Sequence, residues 1–343
     1  MHDKSINKRI RIISTTSSLI LLIITVVMLA GKFFLKYLVI ESGYGSFWQN
    51  DDYVSAVSVI CIYLIIIPLL LLLYYKRLNL SIRFRPIFTK PQRSKGWIFK
   101  WALIAIGCSV VVNYLLSFPL KFFGVLGDGS FIKFCDDRTG YIIYFVTMIF
   151  LAPFFEELFF RATIFRGMND LGVVYASVIT GLMFGLWHMN IDQIIHASTF
   201  GFFACLIFAK SRSIFVVVII HSFNNLLVFL NLYSRSQLIK LISILSSKDS
   251  EFALHALFFD NTGITIMFVL SLLLIIGIAV AGSILAIIEL IKRKGKSGFE
   301  KTFIPYNLLQ RTLIFFSSPV TVLCFGFMIF GTLTNVIVIE PVI

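Results

Sequence analysis

Charge is scarce in this chain of 343 residues, where Asp, Glu, Lys and Arg together make up 14%. Soluble domains carry about 25%, so the polar coat of an ordinary soluble enzyme is missing and that class is excluded. Cysteine is sparse and odd in number, at 5. Cys61, Cys108, Cys205 and Cys324 fall in apolar runs and only Cys135 in a loop, so no disulfide framework is implied. Long repeats and low-complexity tracts are absent, and the composition fits neither a disordered chain nor a coiled coil. Acidic residues are the rarer sign, 17 against 30 basic, a net charge of +13. On a soluble protein this would suggest nucleic acid. Here the basic residues sit between apolar runs, so lipid head groups and orientation explain them and nucleic acid is not an expected partner.

Apolar residues are what the chain has in excess: 58% hydrophobic, with 37 Phe and a mean hydropathy of +0.93. A bilayer core needs about 20 such residues per helix. Runs of that kind occur near Ile12–Ala30, Val54–Tyr75, Trp97–Ser117, Tyr141–Phe165, Gly172–His188, Ile194–Ala209, Ser213–Tyr233, Ile264–Ile291 and Thr312–Ile339. An all-α, polytopic membrane protein with about 8–9 transmembrane helices is expected, the fifth and sixth being short. The basic start at Lys4, Lys8, Arg9 and Arg11 resembles a signal peptide, but the long apolar run and the lack of a clear cleavage site make it an uncleaved first span.

With the N-terminus in the cytoplasm, 22 of the 30 basic residues fall on that side, as the positive-inside rule requires. Asp51, Asp52, Asp128, Asp136 and Asp137 fall on the other. The linker Lys76–Lys95 reads as a cytoplasmic loop on the membrane surface. In the long outer segment Ser234–Gly263, Leu238–Leu245 reads as a short interfacial helix. The expected organisation is a first part, 1–140, with three spans, a core at 141–233, and a last part, 234–343.

The middle third carries polar groups that lipid should forbid. The fourth span reads Pro153-Phe-Phe-Glu156-Glu157-Leu-Phe-Phe-Arg161. An ionised group at a helix centre costs roughly 2.5–3.5 kcal/mol even on lenient scales, so such groups face a polar interior and mark function. Glu157 and Arg161 are four apart, in the favourable order for an ion pair. Glu156 is rotated about 100° from Glu157 and is left free for chemistry. Snorkelling of all three from a helix end is the bland alternative. The fifth span ends in Phe184-Gly-Leu-Trp187-His188, and the seventh holds His221 with Asn225 four residues on. Asn224 points elsewhere. A single intramembrane His could simply bond a neighbouring helix; convergence on one wet pocket satisfies the whole set at once.

Glu-Glu-x-x-x-Arg, Phe-x-x-x-His and His-x-x-x-Asn, in this order, resemble the CAAX-protease and bacteriocin-processing (Abi) family of intramembrane metalloproteases, whose eukaryotic branch is the type II CAAX prenyl endopeptidase. The matching residues are Glu156, Glu157 and Arg161, then Phe184 and His188, then His221 and Asn225, with Pro153 three before the carboxylate pair. Ala162 stands where many members have Gly. The resemblance implies hydrolysis of membrane-associated peptides or proteins, with Glu156 as general base. His188 and His221 would either hold a divalent metal, zinc with Glu157 as third ligand being the favoured set, or with Asn225 donate to the oxyanion. It also implies a multi-pass protein of a bacterial plasma membrane with a site opening to the cytoplasm.

Rival readings are a non-catalytic scaffold bound to a partner such as a sensor kinase, a bacteriocin-immunity protein, and a transporter using the carboxylates as a proton relay. No inverted repeat supports transport. Neither His-Glu-x-x-His nor Gly-x-Ser-x-Gly occurs, and Val125 breaks a Gly-x-Gly-Asp pattern at Gly127-Asp128. Simple alternation would leave His188 roughly 24 Å from the start of its span. A buried connection over Arg166–Val174, made tight by Gly167 and Gly172, would resolve this.

Overall fold

In hydrocarbon every backbone N–H and C=O must find its partner within the protein, and for a chain of long apolar runs the helix achieves this segment by segment. The computed structural model describes residues 2–42, 60–77, 88–122, 138–245, 255, 259–292 and 306–337, and no strand occurs among them. The acidic residues assigned to the outer side, Cys135, residues 54–59 of the second predicted span, 78–87 of the basic linker and 246–254 of the outer segment lie outside the described residues.

Among the described residues ten helices follow in chain order: α1 (His2–Ser42), α2 (60–77), α3 (Lys95–Phe122), α4 (138–168), α5 (Val173–Trp187), α6 (Ile191–Ser211), α7 (Ile214–Leu245), α8 (Thr262–Lys292), α9 (Leu308–Phe315) and α10 (Pro319–Ile337). Among the described residues, six are long and apolar enough to cross a membrane, and seven if the bent pair α9–α10 counts as one. The protein is therefore a polytopic helical membrane protein.

Three details differ from the sequence expectation. The sixth span is not short, since α6 offers a stretch of 19 residues apolar enough on average to cross, whereas α5 has only 15 residues, roughly 22 Å of rise. The ninth is broken, with α9 and α10 meeting at 87°. Pro319 lacks the N–H to continue the ladder, and the intervening serines turn to α1: Arg11 Nε donates to Ser317 Oγ at 3.0 Å, and the Thr15 and Ser318 hydroxyls pair at 2.7 Å. Leu238–Leu245 is no separate interfacial helix but the end of α7, which runs unbroken through it.

The core lies around α4, α5 and α6. There α5 and α6 pack backbone to backbone: a methyl at Gly185 would meet the Ile194 carbonyl oxygen at 2.6 Å and the Ser198 amide nitrogen at 2.9 Å. By contrast α8 turns Leu270, Leu273, Val280 and Ile284 outward, the face that lipid would cover. The expected burial of the α4–α5 connection holds only in part, with Met168 and Leu171 at most 1% exposed but Asn169 and Val174 exposed. Gly172 makes the turn at φ 106°, a conformation that L side chains rarely adopt. Gly167 serves differently. It sits within a continuing helix and leaves room for Tyr74, whose hydroxyl would lie 2.4 Å from an added methyl.

Candidate active site

Helix α4 departs from α geometry on both sides of the carboxylate pair. Thr147–Leu151 and Phe160–Phe165 are π turns, with the Ala152 N–H reaching back five residues to the Thr147 carbonyl and the Arg166 N–H to that of Arg161. Continuing that register, residue 153 should donate to Met148, but a proline has no N–H. The orphaned Met148 carbonyl instead accepts from Asn225 Nδ2 at 3.0 Å. In the second π turn, Thr163 Oγ1 donates to the Leu158 carbonyl at 2.9 Å and Tyr75 to that of Ala162 at 2.8 Å. Each of these side chains adds a hydrogen bond to a carbonyl within or beside a π turn. π turns inside α-helices are frequent at functional sites.

Between the two π turns, Glu156 is 4% exposed and Glu157 and Arg161 are fully buried, so the snorkelling alternative does not describe them. Arg161 Nη1 lies 2.9 Å from Glu157 Oε1, the ion pair that the spacing predicts. The guanidinium also lies over the Phe184 ring, 4.5 Å from its centroid, an arrangement favoured by the ring quadrupole. His221, 4% exposed, places Nδ1 2.7 Å from the same Glu157 oxygen and turns Nε2 toward Glu156 Oε2 at 3.8 Å. Phe200 and Phe184 flank its ring, with centroids at 5.1 and 5.7 Å.

Glu156 is not free. Tyr63 of α2 donates to its Oε1 at 2.5 Å and stacks on Phe155. The result is a continuous buried chain, Tyr63–Glu156···His221–Glu157–Arg161, drawn from three helices. His188 closes α5 as its C-cap, with its ring 5.1 Å from that of Phe184, the same ring that packs against His221 and Arg161. Asn225, in contrast, has its amide committed to the backbone of α4.

Two groups escaped the sequence reading. Tyr63 lies 93 residues before its carboxylate, and nothing in its local sequence marks it. His196 of α6 lies in the same neighbourhood, beside His188, His221 and Asn224. A third histidine within an apolar helix was the available signal.

The suggested metal ligands His188, His221 and Glu157 do not assemble as a set. Glu157 Oε1 is shared between His221 Nδ1 and Arg161, and a cation beside a guanidinium is unfavourable. Among the described residues, no group of three or more His, Cys, Asp or Glu side chains is arranged to hold a metal ion.

Fold and site together define a helical membrane protein with a carboxylate–imidazole–guanidinium cluster enclosed in its core. Residues 137–227, about a quarter of the chain, match the family described as type II CAAX prenyl endopeptidase Rce1-like. The match contains all three motifs, so the resemblance read from them holds over that segment. This is a protease family, and the match supports CAAX-type intramembrane protease activity in general. No curated protein and no solved structure matches the chain.

Proposed function

We propose that this protein is an intramembrane endopeptidase in which Glu156 is the general base. The observation that carries the reading is the facing pair Glu156 Oε2 and His221 Nε2, 3.8 Å apart, within the Rce1-like segment. A water seated against both atoms would give its proton to Glu156 as its oxygen attacks the scissile carbonyl carbon. Glu156 would then return that proton to the departing amine.

The neighbouring groups fit this division of labour. Glu157, accepting from His221 Nδ1–H, fixes the tautomer and aims Nε2 at the reacting atoms, as carboxylates do behind other catalytic imidazoles. Arg161 holds Glu157 in place and balances its charge. His221, when protonated at Nε2, and His188 would supply hydrogen bonds to the oxyanion. Asn225 is assigned to the backbone of α4 instead of the oxyanion, because Met148 already uses its amide. Tyr63 keeps one oxygen of Glu156 engaged so that the other faces His221.

The test is cleavage of a quenched-fluorescence peptide ending in a prenylated CAAX sequence, by full-length protein in nanodiscs. Glu156→Gln is expected to lose about 10²–10⁴-fold in kcat, the usual weight of general-base catalysis, with its thermal unfolding midpoint little changed. Wild-type protein that cleaves neither this peptide nor any membrane peptide accumulating in a Glu156→Gln strain would end the reading.

A further inference from the structure

We propose that a basic cavity between α1 and α2, separate from the carboxylate site, binds the head group of an anionic phospholipid. The cavity has a volume of about 620 Å³ and is lined by Lys4, Asn7, Lys8, Arg11, Ile12, Thr15 and Arg77. That size falls within the range of small-molecule sites, about 300–1,000 Å³. Arg77 lies 14 residues beyond Tyr63, roughly 20 Å along the helix, so the cavity and the cluster around Glu156 are distinct.

Its charge is one-sided. Lys4, Lys8 and Arg11 follow one another at intervals of four and three, on one face of α1, and α2 brings Arg77 against them. Like charges at this spacing oppose helix formation, and no carboxylate lines the cavity among the described residues. An anion removes that repulsion. The walls are fixed from three directions: Arg11 Nε bonds Ser317, Thr15 pairs with Ser318, and Ser17 pairs with Tyr74 of α2 at 3.1 Å.

The lining also changes character along α1. The cations occupy its first turns, followed by Ile12 at 40% exposure and then by the outward Ile23 and Val26. A charged end that continues into an apolar face matches an amphiphile, with phosphate among the cations and acyl chains along the helix. Free phosphate would use only the first half. Asn7 also lines the cavity and adds a neutral amide beside the cations, so the negative charge must come from the ligand, and phosphatidylglycerol is the anionic phospholipid used to probe it.

The experiment uses full-length protein in detergent, titrated with phosphatidylglycerol, phosphatidylcholine or inorganic phosphate and read by native mass spectrometry and by the unfolding midpoint. Phosphatidylglycerol should be retained and raise the midpoint, phosphatidylcholine should do neither, and phosphate should not displace the bound lipid. Lys8→Gln/Arg11→Gln/Arg77→Gln should weaken retention by at least about tenfold, since each cation near an anionic lipid adds to its attraction. Lys90→Gln/Lys95→Gln/Arg212→Gln, an equal change of charge elsewhere, should stay within about twofold of wild type. Asn7→Asp, which puts a carboxylate in the cavity without changing its shape, should also weaken retention and serves if the triple variant fails to fold. Equal loss in both triple variants, equal retention of the two lipids, or displacement by phosphate would overturn the proposal.

Discussion

The chemistry of single residues here depends on partners that come from other helices. Glu157 and Arg161 could be paired from the sequence because both lie on one helix, four apart, and 2.9 Å separates their charged atoms. Glu156, by the same reasoning, looked unoccupied, because a helical wheel shows only neighbours on its own helix. Tyr63 was invisible to that reasoning and supplies a buried hydrogen bond to the carboxylate. Bonds of this kind to a charged group contribute about 1.5–3 kcal/mol. Tyr63→Phe is therefore expected to preserve the fold and substrate affinity but to lower kcat, because Glu156 loses the contact that orients it. Steady-state kinetics on the nanodisc-bound protein would separate the two parameters. A rise in KM at unchanged kcat would place Tyr63 in substrate binding instead.

At the scale of elements, the apolar runs were legible because hydrophobic length alone sets them, whereas the π turns were not, since a shift from four-residue to five-residue bonding leaves hydropathy unchanged. Pro153 was the visible trace of the first π turn. Its missing N–H leaves the Met148 carbonyl open to Asn225, which reaches it at 3.0 Å, whereas the resemblance offered Asn225 as an oxyanion donor in one of its two alternatives. Asn225→Ala should destabilise the protein by about 1–3 kcal/mol, the penalty of a buried unsatisfied carbonyl. Adding Pro153→Ala, which restores an N–H at that position, should recover part of the loss in a thermal unfolding series. No recovery would mean that the amide does not act through the Met148 carbonyl. The close contact of α5 with α6 has a consequence of its own. Gly185→Ala places a methyl 2.6 Å from the Ile194 carbonyl oxygen, and backbone cannot yield as a side chain can. Overpacking of this kind costs about 1–3 kcal/mol. Because His188 is three residues further along the same helix, cleavage should fall by more than the loss of folded protein explains. Comparing activity per folded molecule checks this.

For the molecule as a whole, the described basic segments collect at one end of the bundle through contacts that the sequence could only suggest by counting charges. The Gln92 amide bonds the Ser211 carbonyl at 2.9 Å, Thr89 that of Arg212 at 3.1 Å, and Arg93 that of Lys210 at 3.2 Å. The linker before α3 is thereby fastened to the α6–α7 turn. Arg311 ties α9 to the α4–α5 connection through the Leu171 carbonyl at 2.9 Å, and Lys100 of α3 pairs with Glu289 near the end of α8. Charge excess gathered on one face sets orientation, because Lys and Arg are retained on the cytoplasmic side. In a cysteine-free variant, Lys90→Cys and Lys95→Cys should resist a membrane-impermeant maleimide in intact cells and react in inside-out vesicles. Thr262→Cys, at the opposite end of α8, should show the reverse. Labelling of Lys95→Cys from outside would invert the protein and place the basic end on the outer face. The same two preparations, supplied with the prenylated peptide, would then show from which side a substrate reaches Glu156.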